Sequence, residues 1–387
     1  MLNDFVYHNP TKIYFGKRAL DNLSAELGNY GNSILLLYGK GAIKKTGLYD
    51  KIIAVLNECG KSVVELSGVK PNPSYSQVKA GAALVRENCV DLILAVGGGS
   101  VIDCAKAISA SAYAEGDAWD RYWIKREAVN NKVIPIGAIL TMAATASEMN
   151  STSVITNEEV MLKVGRTFTS DLNPRFSILN PELTYTVPKI QMVSGIFDIL
   201  SHLMEQYFSG EDDNTSDYLI EGIMKSLIKS ARVALEKPDD YEARSNIMWC
   251  ATLGLNRLAG VSKKQDWQVH HIEHQLGAYT DCPHGLGLAV ISMPYYRYIY
   301  RYGIDRFVRF AETVWGIDPS GKSKDYVALE GIAALESFAI EMGIPLTLRE
   351  LGATEDMLPL IAESTEEGGG YKYMTAEDTL AVLKACY

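Results

Sequence analysis

The sequence predicts two domains: an α/β domain over residues 1–180 with a parallel, doubly wound sheet, and an all-helical domain over residues 181–387. Three observations carry that expectation. Short runs that are apolar on both faces alternate with amphipathic segments through the first half, the pattern of strands buried between helices. After "NPELTYTVP" (180–188) helical periodicity runs to the C-terminus, with no strand-like alternation of useful length. A chain of 387 residues also exceeds the size at which one hydrophobic core usually stops growing.

In chain order, the expected strands are "SILLLYG" (33–39), "KSVVEL" (61–66), "LILAVGGG" (92–99) and "KVIPIGAIL" (132–140), the last carrying Pro135. Between them "LYDKIIAVLNECG", closed by Gly60, and "YSQVKAGAALVREN" repeat apolar residues at helical spacing. The second half reads as "QMVSGIFDILSHLMEQYF", "SDYLIEGIMKSLIKSARVALE" and "YEARSNIMWCATLGLNRLAG", then a histidine-rich segment. "RFVRFAETVWG", "DYVALEGIAALESFAIEMG" and "AEDTLAVLKACY" follow, and "STEEGGGYKYMT" (364–375) predicts a mobile loop.

Composition removes several function classes. A hydrophobic fraction of 47% with 22% charged residues fits a globular protein in water. A net charge of −10 argues against nucleic acid and against an anionic membrane surface. No run of about 18 apolar residues predicts a membrane span. "MLNDFVYHNPTKIYFGK" lacks the basic and apolar regions of a secretory signal. Six scattered cysteines without CxxC read as reduced thiols of a cytoplasmic protein, and Cys282 reads as a small buried hydrophobe.

Gly97, Gly98, Gly99 and Ser100 lie between a buried strand and a helix expected to begin near Val101. Backbone without side chains lets a pyrophosphate approach, and the free N–H groups of a helix start point at the anion. The motif is not GxGxxG, so the standard Rossmann fingerprint is absent. The earlier turn, Gly39-Lys40-Gly41, has no carboxylate for a ribose 2′-hydroxyl, and Lys44 and Lys45 follow closely. That charge favours NADP(H) over NAD(H).

Four of the six histidines fall in "HHIEHQLGAYTDCPHG" (270–285). Asp198 and His202 share one helix face, as do His270 and His274, while His271 points elsewhere. His284 follows after a break containing glycine and proline. A carboxylate oxygen with three imidazoles suits a divalent transition metal, Fe(II) or Zn(II). Spacing alone leaves open which of His270 and His274 is the third nitrogen ligand.

"PTKIYFGK", "KPNPSY", "GGGSVID", "ATASEMN", "LTYTVP", "GIFDILSHLMEQY" and the histidine segment together resemble the iron-containing (group III) alcohol dehydrogenases, in their butanol dehydrogenase-like branch. The resemblance implies a dehydroquinate synthase-like fold and reversible hydride transfer between NADP(H) or NAD(H) and a small alcohol or aldehyde. It implies Asp198, His202, His270 and His284 as metal ligands, Fe2+ before Zn2+, with His274 as the proton-handling residue. For the cofactor it implies Asn72, Gly97, Gly98, Gly99, Ser100, Asp103, Thr141, Thr145, Lys163 and Leu183, beside the Gly39-Lys40-Gly41 turn. It also implies a homodimer, joined through an N-terminal strand such as "TKIYFG". Where the family has TGSE, this chain has Thr145-Ala146-Ser147-Glu148. Trp267, Tyr279, Met142, Met149 and Phe168 are candidates for an apolar substrate pocket. Two rival readings are a dehydroquinate synthase-like or polyol-type dehydrogenase, for which few basic residues flank the metal helices, and a non-catalytic metal- or dinucleotide-binding protein.

Overall fold

The structure, a computed structural model, describes residues 3–211 and 213–387. It divides into two compact units, His8–Val187, and Pro188–Tyr387 with the N-terminal stretch up to Tyr7. The short turn Pro181–Thr184 that follows the last strand stays with the first unit.

The first unit holds β1 (Lys12–Phe15), β2 (Ser33–Tyr38), β3 (Ser62–Leu66), β4 (Leu92–Gly97), β5 (Ile136–Leu140), β6 (Thr152–Asn157), β7 (Leu162–Thr167) and β8 (Phe176–Leu179). Six of these form a sheet in the order β1-β8-β5-β4-β2-β3, every pair parallel. Its helices are α1 (Leu23–Leu27), α2 (Ala42–Lys45), α3 (Leu48–Glu58), α4 (Tyr75–Glu87) and α5 (Gly99–Ser111). Ile34 to Leu37 and Leu92 to Val96 are wholly buried on both sheet faces, which explains why β2 and β4 carry no polar alternation. Pro135 ends up just outside β5, where its missing N–H costs no ladder bond.

Strand order matters for function. From β2 the chain moves outward to β3, returns across β2 to β4, and then proceeds to β5 on the far side. The order therefore reverses between β2 and β4, which are paired as far as Tyr38 and Val96. In open α/β sheets that reversal leaves a crevice at the carboxyl ends of the strands, where ligands bind. The turns Gly39-Lys40-Gly41 and Gly97-Gly98-Gly99 are the two chain segments that leave those ends. The antiparallel pair β6–β7 stands apart from the main sheet and was not expected.

The second unit is helical: α6 (Lys189–Tyr207), α7 (Thr215–Glu236), α8 (Tyr241–Leu255), α9 (Gln268–Thr280), α10 (His284–Ile299), α11 (Ile304–Trp315), α12 (Lys324–Met342), α13 (Met357–Ser364) and α14 (Ala376–Ala385). Residues Met192 to Tyr207 of α6 are all buried, so this helix is the unit's axis, packed by α7, α8 and α10. No helix among the described residues is long and apolar enough to cross a membrane.

Two local expectations change. His284 is the first residue of α10, with Pro283 as its N-cap, so the histidine segment spans two helices. The segment 364–375 is fastened where mobility was expected. Gln268 Nε2 donates to Glu366 O (3.2 Å), Lys264 Nζ to Gly370 O (2.9 Å) and the Tyr371 hydroxyl to Gly210 O (2.7 Å). An added Cβ at Gly370 would press on Ser209 and Asp266, so glycine lets the segment lie against them.

Candidate metal centre and dinucleotide turns

α6 presents Asp198 and His202 one turn apart, α9 presents His270, and α10 presents His284 from its first turn. Close approach makes the last placement possible. An added Cβ at Gly285 would collide with the Ser194 carbonyl of α6, so glycine lets α10 start directly against that helix.

The four side chains converge on one atom. Asp198 Oδ1 lies 3.5 Å from His202 Nε2, 3.8 Å from His270 Nε2 and 3.8 Å from His284 Nε2. These separations are long for hydrogen bonds. Ligands held at about 2.1 Å from a tetrahedral cation sit about 3.4 Å apart, close to what is found. Asp198 Oδ1 and His270 Nε2 are also buried without a hydrogen-bond partner, a costly condition that a shared cation would remove. The donor set therefore fits a divalent metal. His274 sits one turn along α9, its ring centroid 5.8 Å from that of His284 and 6.2 Å from that of His270. Its nearest potential ligand cluster is Glu273 and His284, without Asp198. That geometry favours His270 over His274 as the third nitrogen.

Two buried carboxylates, absent from the sequence reading, back the ligands. Glu205 bonds His270 Nδ1 and accepts the Val269 N–H (3.1 Å) and His270 N–H (3.4 Å) at the start of α9. Glu273 bonds His284 Nδ1. Each fixes a tautomer that aims Nε2 at the centre. Glu205 continues the Asp198–His202 face of α6 at the next turn, although that spacing alone does not name its partner. Trp267 packs its ring against His202 and His270, at 6.1 and 5.3 Å between centroids.

Two of the groups are poised for a cation and one holds a proton against it. Burial holds His202 down at about 3, so it is neutral. Burial would raise the Asp198 carboxyl, but His202, His270 and His284 hold it well below the usual range. Burial lowers His270 as well, yet Glu205 and Asp198 overcome it and lift the imidazole to about 10. A proton on His270 is thus the competitor that a metal displaces.

In the first unit, Gly98 caps α5 with no side-chain hydrogen bond, leaving the helix's first N–H groups available to an anion. An added Cβ at Gly97 would strike Val101, and one at Gly99 would strike Thr145 Oγ1. The other expected residues gather around this turn to different degrees. Ser100 Oγ donates to Pro71 O, which ties the Asn72 segment to the turn, and Asn72 itself is buried. Thr141 N donates to Gly97 O (3.0 Å). Lys163 is buried on β7 opposite Thr156, whose N–H donates to Pro73 O (2.9 Å). Leu183 packs on the hydrophobic core around β2 and β4.

Asp103 faces inward. It accepts the Val154 N–H (2.9 Å) and the Ser147 hydroxyl. Beside it Lys106, fully buried, donates to Ser147 Oγ (2.7 Å), Asn150 Oδ1 (3.0 Å) and Thr152 O (2.8 Å). Together they pin segment 145–152 to α5, a positioning role. Within that segment Ala146 adopts left-handed backbone (φ 50°, ψ 19°), the conformation that glycine accepts without strain. Of the pocket candidates, Met142 lies against Gly98 and Phe168 packs on Trp123.

A crevice at a sheet reversal flanked by glycine turns, and a largely buried convergence of one aspartate and three histidines, fit a metal- and dinucleotide-dependent oxidoreductase. The chain belongs to the iron-containing alcohol dehydrogenases: residues 10–181 match the iron-containing alcohol dehydrogenase family and residues 192–387 its C-terminal domain. It falls in the butanol dehydrogenase-like branch. It is 43% identical to NADH-dependent butanol dehydrogenase A of Clostridium acetobutylicum, over 99% of both chains. It is 34% identical to an NADPH-dependent aldehyde reductase of Escherichia coli, over 95% of this chain and 94% of the other. Among solved structures it superposes on NADH-dependent butanol dehydrogenase A from Thermotoga maritima with a TM-score of 0.95 and 37% identity, covering 100% and 99% of the two chains.

Proposed function

We propose that the chain interconverts small primary alcohols and aldehydes, such as butanol and butyraldehyde, using NAD(H) or NADP(H) and one divalent metal, Fe2+ or Zn2+. The convergence of three imidazole nitrogens on Asp198 Oδ1 is the observation that carries this reading. A cation in that cage supplies Lewis acidity, polarising a substrate carbonyl and lowering the pKa of an alcohol.

The chain's own residues supply the rest. Asp198 contributes the single negative charge of the cage, and Glu205 and Glu273 orient two of its imidazoles. The glycine turn and the start of α5 hold the pyrophosphate, so that binding and orientation are the protein's contribution to hydride transfer. His274, through its imidazole, delivers a proton to the nascent alkoxide oxygen during aldehyde reduction and removes it during alcohol oxidation.

Two finer features belong to the same proposal. Among the described residues β1 pairs with β8 alone and forms one edge of the sheet, the place where a second copy would add its own β1 to make a homodimer. Six free cysteines fit a reducing, cytoplasmic setting.

The test is consumption of reduced nicotinamide by the metal-loaded chain with butyraldehyde, run with NADH and NADPH separately. Turnover that vanishes on chelation and returns with Fe2+ or Zn2+ supports the reading. Activity on dehydroquinate precursors with none on aldehydes would favour the dehydroquinate synthase-like rival.

A further inference from the structure

The Gly39-Lys40-Gly41 turn carries no carboxylate of its own, and its lysines argued for a 2′-phosphate. The fold brings a carboxylate there from the neighbouring strand. Glu65 lies on β3 opposite Leu36 of β2. The Tyr38 and Tyr49 hydroxyls each donate to it at 2.5 Å, and Lys44 Nζ lies 3.7 Å away. The same ammonium sits over the rings of Tyr49 (4.3 Å) and Tyr38 (5.2 Å). The chain leaving β3 is tied to the turn itself, since Gly68 N donates to Gly39 O (3.1 Å) and Val69 N to Tyr38 O (3.3 Å). Lys44 and Glu65 side chains remain 49% and 36% exposed, so both are open to a ligand.

We propose that Glu65 sets the dinucleotide preference toward NAD(H) by engaging Lys44, the cation that would otherwise meet a 2′-phosphate. The inference rests on the dinucleotide reading of these turns. A ribose 2′-hydroxyl can donate to a carboxylate. A 2′-phosphate instead meets a like charge, beside a lysine already held by Glu65 and two aromatic faces. Lys40 and Lys45 are exposed, where water and salt screen their charge. A carboxylate reached through a neighbouring strand is invisible to any reading of the turn's own residues.

The adenosine halves of the cofactors isolate the effect from the chemistry. Calorimetric titration of the full chain with 5′-AMP and with 2′,5′-ADP gives a ratio of dissociation constants that reports the 2′-phosphate alone. Glu65→Gln should shift that ratio about fivefold toward 2′,5′-ADP, and the shift should be clearly smaller in the Glu65→Gln/Lys44→Gln double variant, where only the direct effect of the carboxylate on the ligand remains. Lys44→Gln alone, which does not depend on Glu65→Gln folding, should leave the ratio within about twofold, because this lysine is already engaged. An unchanged ratio in Glu65→Gln overturns the proposal. So does an equal shift without Lys44, or a marked loss of 2′,5′-ADP binding in Lys44→Gln. If the unaltered chain binds NADH, NADPH and both adenosine halves with no measurable affinity, the dinucleotide reading beneath the proposal falls with it.

Discussion

Glu205 and Glu273 lie outside the proposed metal cage, yet each grips the far nitrogen of a histidine proposed as a ligand. Replacing such a carboxylate by its amide keeps shape but removes the charge that strengthens the imidazole as a donor. Glu205→Gln and Glu273→Gln should each weaken metal binding about 10- to 100-fold, read by chelator competition. Affinities equal to that of the unaltered chain would assign both residues to packing alone. Ala146 offers a second test. Its left-handed backbone costs about 1 kcal/mol or more, so Ala146→Gly should raise thermal stability by up to about 1 kcal/mol after glycine's greater unfolded freedom is allowed for. A lower melting temperature would show that the strain is relieved some other way. At this scale the sequence already brings Asp198 and His202 together, because their spacing puts them on one helix face. Glu205 lies on that face too, but a helical glutamate is usually solvent-facing, and only its burial against α9 reveals the partnership. Glu273, between His271 and His274, obeys no spacing rule that names its partner. Asp103 was legible as a conspicuous acid near the glycines, but its inward orientation depends on Ser147 and Val154, which no local pattern places there.

Among elements, the start of α5 is the most exposed to test. A Cβ at Gly99 would push Thr145 out of position against the helix start, so Gly99→Ala should weaken dinucleotide binding at least about tenfold while metal content stays unchanged. Undiminished NADH binding would remove the pyrophosphate from that turn. The segment that leads into α9 carries a buried acid. Burial first, and then the charge of Glu205, push Asp266 up to about 7, although the Tyr295 hydroxyl donates to both its oxygens at 2.9 and 2.8 Å. An acid whose folded pKa lies above its unfolded value binds extra protons when folded. Its effect is most favourable below about pH 4 and is lost as pH rises through about 7. Asp266→Asn should therefore flatten the fall in melting temperature between about pH 4 and pH 7; an unaltered slope would locate the titration elsewhere. The strands β2 and β4 were readable because burial on both faces leaves long unbroken apolar runs. The pair β6–β7 was not, since "TSVITN" and "LKVGRT" mix polar and apolar residues over lengths too short to decide. α10 was hidden by Pro283 and Gly285, which signal a break when read alone. In the fold the one caps the helix and the other lets it touch α6.

For the whole molecule, the sequence shows both halves because each carries its own periodicity: apolar runs and glycine turns in one, uninterrupted helical repeats in the other. Each half also matches its own part of the iron-containing alcohol dehydrogenase family. What composition and pattern do not carry is the pairing of distant residues, and the chemistry of both units rests on such pairs. Glu65 reaches Lys44 from the next strand, and His284 reaches Asp198 from a helix far along the chain. Molecule-wide charge gives no help with either, because a net −10 says nothing about where one carboxylate neutralises one lysine.

In the proposed centre Asp198, His202, His270 and His284 hold one catalytic cation while His274 stands beside it to move a proton. Elemental analysis and turnover of His270→Ala and His274→Ala, prepared identically, address it together. His270→Ala should lose its metal, whereas His274→Ala should keep one cation per chain and lose turnover by about 100-fold or more. A His274→Ala protein without metal, or a His270→Ala protein that keeps it, would contradict the assignment.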